Sequence, residues 1–502
     1  MRINNLYALP DMAPRWKEIV QRDRAPFLAA FLAGLAAHGY AFANKLLNHD
    51  EIESLFGKGA TITSGRWGLE PVKLLFPDWS MPWIYGILSL LLISAAACLM
   101  LDLLELRRPG LRMLTAALVT TFPSLTGNFC FMFTSAPYAW SFFLAVLAVR
   151  LFRSGPRLLA PVALVLALGI YQAYIAVTAS LFLLIMIAQA LDGEKPVGEI
   201  IADGLRALAM MLVSVGLYYG VTLLVLRVAG ESFNTYVTEN VKGGIGLLRR
   251  IRTAYDAFFY VFSFRNFYLI SSETLRYVHI ALAAVLAACM AGIALRRKQW
   301  LHAALLAFLT ALLPLAICCM VLIMSQQSIH TLVMYSFIAV YLLAALVAER
   351  MTTPAGRGAA ALMSAMLALI AAGNIYFANM TYLKMQLQYE NAHAFYTVLL
   401  TRVMQTEGFD ESCRLAVLGE QDNLLHRYDE LDTDLLQGPN RDLVNIYSRE
   451  NFLRFYLGCE LPFADEETLR EMERDPRVLA MPEYPYAGSV RKIDDCIVVK
   501  LG

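Results

Sequence analysis

The sequence predicts an all-α polytopic membrane protein of about eleven transmembrane helices, followed by a small C-terminal α/β domain. Three observations lead there. Of 502 residues, 58% are hydrophobic and the mean hydropathy is +0.53, where a soluble domain is about half apolar. Apolar runs approaching the length that spans a bilayer, about 20 residues, recur as far as residue 379. Beyond that point charge returns and no further run follows. The net charge of +1 offers no bulk attraction to nucleic acid, so none is expected as a partner.

The first 25 residues are polar. Arg15, Lys17, Arg22 and Arg24 precede the first apolar run, and no small-residue cleavage site follows it, so no cleavable signal peptide is expected. The spans then fall at roughly 26–44, 83–103, 111–127, 132–152, 157–171, 173–191, 203–226, 277–295, 300–324, 331–348 and 357–379.

Lys and Arg mark cytoplasmic loops. They occupy alternate short loops: Arg107, Arg108 and Arg112; then Arg150, Arg153 and Arg157; then Arg296, Arg297 and Lys298; then Arg350 and Arg357. The loops near 125–137, 170–174 and 325–329 carry none. The basic N-terminus is therefore cytoplasmic, and an odd number of spans puts the C-terminus outside. Two long loops, 45–82 and 227–276, also lie outside. The expected division is a transmembrane domain over 1–379 and an extracytoplasmic one over 380–502.

The 45–82 loop organises the chain. It opens with Asn48-His49-Asp50-Glu51-Ile52-Glu53 and continues with Ser64-Gly65-Arg66-Trp67. Asp50 and Glu51 follow the first span directly, at the membrane surface where a lipid-linked head group is presented. A carboxylate there is partly desolvated, which suits a general base. The plainer reading is a solvated loop end in which Asp50 caps a following helix. Arg66 and Trp67 offer a cation and an indole face for a sugar. Read plainly, they are an interfacial anchor with a nearby arginine.

In the second loop, Leu247, Leu248, Ile251, Tyr255, Phe258, Phe259 and Phe262 share one helical face, while Arg249, Arg252, Thr253 and Asp256 share the other. This is an amphipathic helix lying in the outer interface. Either it covers the helix bundle, or its arginines, Arg249, Arg250 and Arg252, hold a lipid phosphate in bidentate geometry. Tyr171 and Gln172, with Asn128, Asn374 and Asn379, lie near outer ends of spans. They line a cavity or join helices by hydrogen bonds. His330 closes a polar turn with no Lys or Arg and reads as a cavity-lining or hydrogen-bonded interface residue rather than a catalyst.

The tail reads as a helix over 382–404 continuing the last span, strands near 415–418 and 496–501, and a helix over 465–474 capped by Asp465. Cys413, Cys459 and Cys496 allow one disulfide or none; the other five cysteines read as packing residues. There is no internal repeat, no glycine-rich phosphate loop and no zinc motif. A divalent metal is compatible with the chemistry, although no ligand set demands one.

Asn48-His49-Asp50-Glu51 followed by Ser64-Gly65-Arg66-Trp67, then Pro82 and Gly86-Ile87-Leu88-Ser89, resembles the Gtr type II family of bacterial membrane glucosyltransferases. Tyr171-Gln172-Ala173, Met481-Pro482-Glu483-Tyr484-Pro485, Gly488 and Ile497-Val498-Val499-Lys500 extend the likeness over nearly the whole chain. The resemblance implies a GT-C fold in the bacterial inner membrane. It also implies a sugar, most simply glucose, taken from a polyprenyl-phosphate carrier on the periplasmic side. The acceptor it implies is a surface polysaccharide such as the O-antigen of lipopolysaccharide. It maps the base onto Asp50 or Glu51 and asks for a cation at the donor phosphate, for which Arg66 and the Arg249–Arg252 group are the candidates. The rival readings are a transporter or flippase, a polysaccharide polymerase or ligase, and an accessory subunit. A transporter is expected to show repeats and broken helices with midplane charges, and the sequence shows neither.

Overall fold

In the computed structural model the described residues are 12–53, 59, 61–72, 74–75, 80–235, 237–238, 246–261, 273–323, 331–421 and 443–502. Among them, eight helices are long and apolar enough to cross a membrane. They lie within Met12–Ala43 (α1), Pro82–Leu103, Met132–Ser154, Gln172–Asp192, Val197–Ala229, Glu273–Arg297, Trp300–Ile317 and Pro354–Met404.

The three remaining expected spans are shorter or interrupted. The 111–127 segment breaks at Phe122 into Pro109–Thr121 and Pro123–Phe129, because Pro123 cannot continue the first helix and opens the second at its first position. The 157–171 segment is the 12-residue helix Leu159–Ile170. The 331–348 segment begins as two 3-10 turns, Thr331–Val333 and Tyr335–Phe337, before the helix Ile338–Arg350. The chain therefore does contain broken helices, contrary to the sequence reading.

The breaks meet one another. Ser124 donates to the Thr331 carbonyl, Asn128 donates to the Tyr174 hydroxyl at 3.0 Å, and Tyr174 lies edge-on to Tyr335 at 6.3 Å. Residues 121–139 are buried throughout. Irregular backbone in an apolar setting survives only when protein surrounds it and satisfies its polar groups. Asn379 likewise joins helices, donating to the Ala36 carbonyl at 3.0 Å.

The last helix, Pro354–Met404, runs without a break for 51 residues, about 76 Å at the α-helical rise. It passes straight through the expected domain boundary at 379. Beyond it the chain forms a three-stranded sheet in the order β1-β3-β2, with β1 at Arg414–Leu418, β2 at Val490–Ile493 and β3 at Cys496–Lys500. β1 and β3 are parallel, with Leu415 opposite Ile497; β2 and β3 are antiparallel, with Val490 opposite Val499. Short helices pack against the sheet. One is Glu466–Arg474, capped by Asp465, which accepts from the Thr468 amide at 2.8 Å. Another is Ile446–Leu457, capped by Asn445, which accepts from the Ser448 amide at 2.9 Å. Buried Arg449 ties that helix to the sheet by donating to the Val417 and Gly419 carbonyls at 2.8 and 2.7 Å. Cys413, Cys459 and Cys496 are buried free thiols.

The core of this tail is not made by the tail alone. Leu47 and Ile52, on either side of the acidic pair, are fully buried in it with Tyr396, Leu399, Val403, Phe452 and Leu453. Replacing Ile52 by Ala removes side-chain volume from this shared core and is expected to cost about 2–5 kcal/mol. Limited proteolysis of the detergent-purified variant should then release a tail fragment at protease levels that leave the wild type intact. Identical digestion of the two proteins would show that loop and tail do not share a core.

Candidate functional site

The loop that follows the first span begins where α1 ends, at Ala43. A five-residue helix, His49–Glu53 (α2), follows. Its cap is Asn48, not Asp50: the Asn48 side-chain oxygen accepts from the Glu51 amide at 2.8 Å. The Asn48 amide nitrogen donates to the Cys130 carbonyl, which lies in the gap between Pro123–Phe129 and Met132–Ser154.

The two adjacent acids part company at this point. The Glu51 side chain is fully buried. Its carboxylate takes an ion pair from Lys45, a hydrogen bond from the Ser80 hydroxyl and another from the Phe133 amide at 3.2 Å. Phe133 is in the first turn of Met132–Ser154, where amides lack helical partners and a negative charge is favoured. Glu51 thus closes the same gap that Asn48 closes from the other side. Asp50 points elsewhere: its carboxylate is 40% exposed and lies 3.5 Å from Nε2 of the buried His49. The His49 ring sits edge-on to Phe131 and to Tyr447, each at 6.2 Å.

Tyr447 belongs to Ile446–Leu457, so the tail packs directly against α2. Burial and the charge on Glu51 push the Tyr456 phenol of the same helix up from its ordinary range. The tail therefore reaches both ends of the acidic segment. The sequence reading missed this helix, although Asn445 before it and Gly458 after it are ordinary start and stop signals.

Arg66 and Trp67 sit on a second part of the loop, and the structure joins them to Tyr171 and Gln172 as a single cluster. Arg66 donates to the Tyr138 hydroxyl at 3.1 Å and lies 5.4 Å from the Tyr171 ring centroid. Tyr138 and Tyr171 stack at 4.0 Å, giving the guanidinium an aromatic wall. Gln172 donates to the Ser64 carbonyl at 3.0 Å and to the Tyr218 hydroxyl at 2.8 Å. Tyr218 in turn donates to the Gly65 carbonyl at 3.0 Å. Gly65 has φ +71°, and a Cβ there would meet the Tyr218 hydroxyl at 2.6 Å, so glycine is needed on both counts.

Trp67 is a packing residue in this arrangement. Its Nε1 donates to the Thr222 hydroxyl at 3.2 Å and its ring lies on the Gly169 backbone, where a Cβ would approach it to 2.6 Å. Phe133, which holds Glu51, and Tyr138, which holds Arg66, are five residues apart on one helix, a rise of about 7.5 Å. One helix end therefore positions both the acidic segment and the candidate cation.

The chain matches the family Glucosyl transferase GtrII over residues 39–343. The chain belongs to this family. The match includes the acidic segment, the Arg66 cluster and the interruptions at 122, 130–131, 171 and 331–337, and it ends before the tail. With its membrane-length helices, this GtrII protein is a membrane glucosyltransferase by family. Neither a curated protein nor a solved structure matches the chain.

The remaining expected site residues are dispersed. In the helix Leu247–Val261, Arg250 donates to the Leu322 carbonyl at 2.9 Å. Arg252 is exposed and pairs with Asp256 at 3.6 Å, and Arg249 is also exposed. The buried line of this helix is Ala254, Ala257 and Val261; Leu247, Leu248 and Phe259 are exposed with the arginines. The expected apolar face is therefore divided: Phe258 stacks on Phe337 at 5.9 Å and Tyr255 donates to the Ala311 carbonyl at 2.6 Å, while Leu247, Leu248 and Phe259 are exposed. Phe262 and His330 lie outside the described residues. Among the described residues no group of three or more His, Cys, Asp or Glu side chains is placed to hold a metal ion.

Gly169→Val inserts a branched side chain into the Trp67 contact and is expected to destabilise the loop by about 1–3 kcal/mol. Thermal unfolding should fall by several degrees, with intrinsic tryptophan emission shifted to the red. An unshifted spectrum and melting curve would mean that this contact does not hold the loop.

Proposed function

We propose that this GtrII protein transfers a hexosyl group, most simply glucose, from a polyprenyl-phosphate carrier to a surface polysaccharide such as O-antigen. The reaction takes place on the outer side of the bacterial inner membrane. The observation that carries the reading is the division of labour in Asp50-Glu51: one carboxylate is tied into the bundle and the other is left half-exposed at the end of the first span.

Asp50 is the base. It takes the proton of the acceptor hydroxyl as that oxygen attacks the anomeric carbon. The bond from the anomeric carbon to the lipid phosphate oxygen breaks, and its electron pair leaves with the phosphate. The displacement inverts the anomeric centre. The proton on Asp50 is then released to solvent. His49, 3.5 Å away, orients the carboxylate. Arg66, held among Tyr138 and Tyr171, stabilises the charge developing on the phosphate; Arg249 and Arg252 are the further cations for the carrier. Glu51 contributes rigidity rather than basicity, since among the described residues its carboxylate accepts from Lys45, Ser80 and the Phe133 amide.

Asp50→Asn keeps the side chain's shape and removes its basicity. Transfer by the purified protein from a polyprenyl-phosphate glucose is expected to fall by about 10²–10⁴-fold, with the melting temperature unchanged. Glu51→Gln should do the reverse, with a smaller loss of rate and a lower melting temperature. Wild-type rates in both variants would remove the acidic segment from the chemistry. On the Lys/Arg distribution of the loops we assign the tail to the outer side, so a periplasm-dependent reporter fused after Gly502 should be active. A fusion active only in the cytoplasm would reverse the topology. Mass spectrometry of the surface polysaccharide with and without the protein would identify the sugar added.

A further inference from the structure

We infer that Tyr447 of the tail is the acceptor-sugar platform of the site, against which a pyranose ring of the polysaccharide stacks with a hydroxyl turned toward Asp50. The inference rests on the reading of Asp50 as the base.

Four observations point to it. First, Tyr447 is 58% exposed and its neighbour Ile446 is 64% exposed, although both belong to a helix whose other face is in the shared core. An aromatic ring with more than half of its surface exposed suits the apolar face of a sugar ring. Second, Tyr447 and Asp50 both contact His49: Tyr447 is edge-on to the His49 ring at 6.2 Å, and His49 Nε2 is 3.5 Å from the Asp50 carboxylate.

Third, the platform is fixed rather than carried on a loose loop. Asn445 caps its helix, Arg449 bonds it to the sheet, and Phe452 and Leu453 pack with Leu47 and Ile52. A rigid aromatic loses little entropy on binding. Fourth, the helix that carries Tyr447 belongs to the charged tail: Lys384 is the first charged residue after the apolar run of Pro354–Met404, and the tail core begins near Ala392, about 12 Å further along that helix. A hydrated glycan is the fitting occupant of an exposed aromatic ring in such a setting. In this reading Arg66 serves the lipid-linked donor, Tyr447 the acceptor, and Asp50 the proton transfer.

The test uses the full chain in lipid nanodiscs. The acceptor is the surface polysaccharide purified from cells lacking the protein. Binding to the Asp50→Asn protein, which retains the site but not the base, is compared with binding to Asp50→Asn/Tyr447→Ala and Asp50→Asn/Tyr447→Phe. Loss of the ring should weaken binding by about ten-fold, one aromatic contact's worth, while Phe should preserve it and all three proteins should melt together. In the Asp50-containing background, Tyr447→Ala should raise the acceptor KM by about ten-fold, and Tyr447→Phe should restore it. Equal acceptor binding and equal KM for Tyr447→Ala would overturn the platform. Acceptor binding that depends on Tyr447, in a wild-type protein that moves no sugar from the lipid phosphate to acceptor or water, would support the platform and overturn the transferase reading.

Discussion

The buried carboxylate of Glu51 is the contact on which the rest of this site depends. A polytopic bundle cannot leave backbone polar groups unsatisfied away from water, and this chain interrupts its helices at 130–131. Asn48 donates to the Cys130 carbonyl on one side of the gap, and Glu51 accepts from the Phe133 amide on the other. Lys45 supplies the countercharge that makes an anion tolerable there, and its partial exposure of 30% lets it keep part of its hydration. Removing one partner of such a buried set leaves groups without hydrogen bonds, at about 1–3 kcal/mol each.

From that contact the positions of the other groups follow. With Glu51 turned inward, Leu47 and Ile52 face the tail and close its core, and Asp50 is left at the surface beside His49. The same helix that receives Glu51 at Phe133 presents Tyr138 to Arg66. Family membership covers this inner half of the arrangement. The tail, outside the matched region, packs on the acidic helix through Tyr447 and the shared core, so its fold and the geometry at Asp50 are coupled.

Much of the membrane architecture could be read from the sequence, because apolar length is a local property. Each of the eleven expected segments contains helix, and the continuation of the last span past 379, the strands at 414–418 and 496–500, and the Asp465 cap were all legible. The breaks were less so: Pro123 was an available signal, but the 3-10 turns at 331–337 are set by packing of Tyr335 against Phe142 and Tyr174. Within the site, the pairing of Arg66 with Tyr171 and Gln172 joins segments that the sequence singled out separately. What the sequence could not assign is which acid is buried. That depends on Ser80, Phe133 and the tail, none of them near Glu51 in the chain. β2 was missed because Val490-Arg491-Lys492-Ile493 is a short edge strand with two exposed cations.

The central claim, that Asp50 and Glu51 are separated by burial, can be measured directly. In a chain whose eight native cysteines are replaced, single cysteines at positions 50 and 51 are exposed to a membrane-impermeant maleimide. The account predicts rapid labelling at position 50 in the folded protein, and labelling at position 51 only after denaturation. Rapid labelling at position 51, or none at position 50 before unfolding, would contradict it.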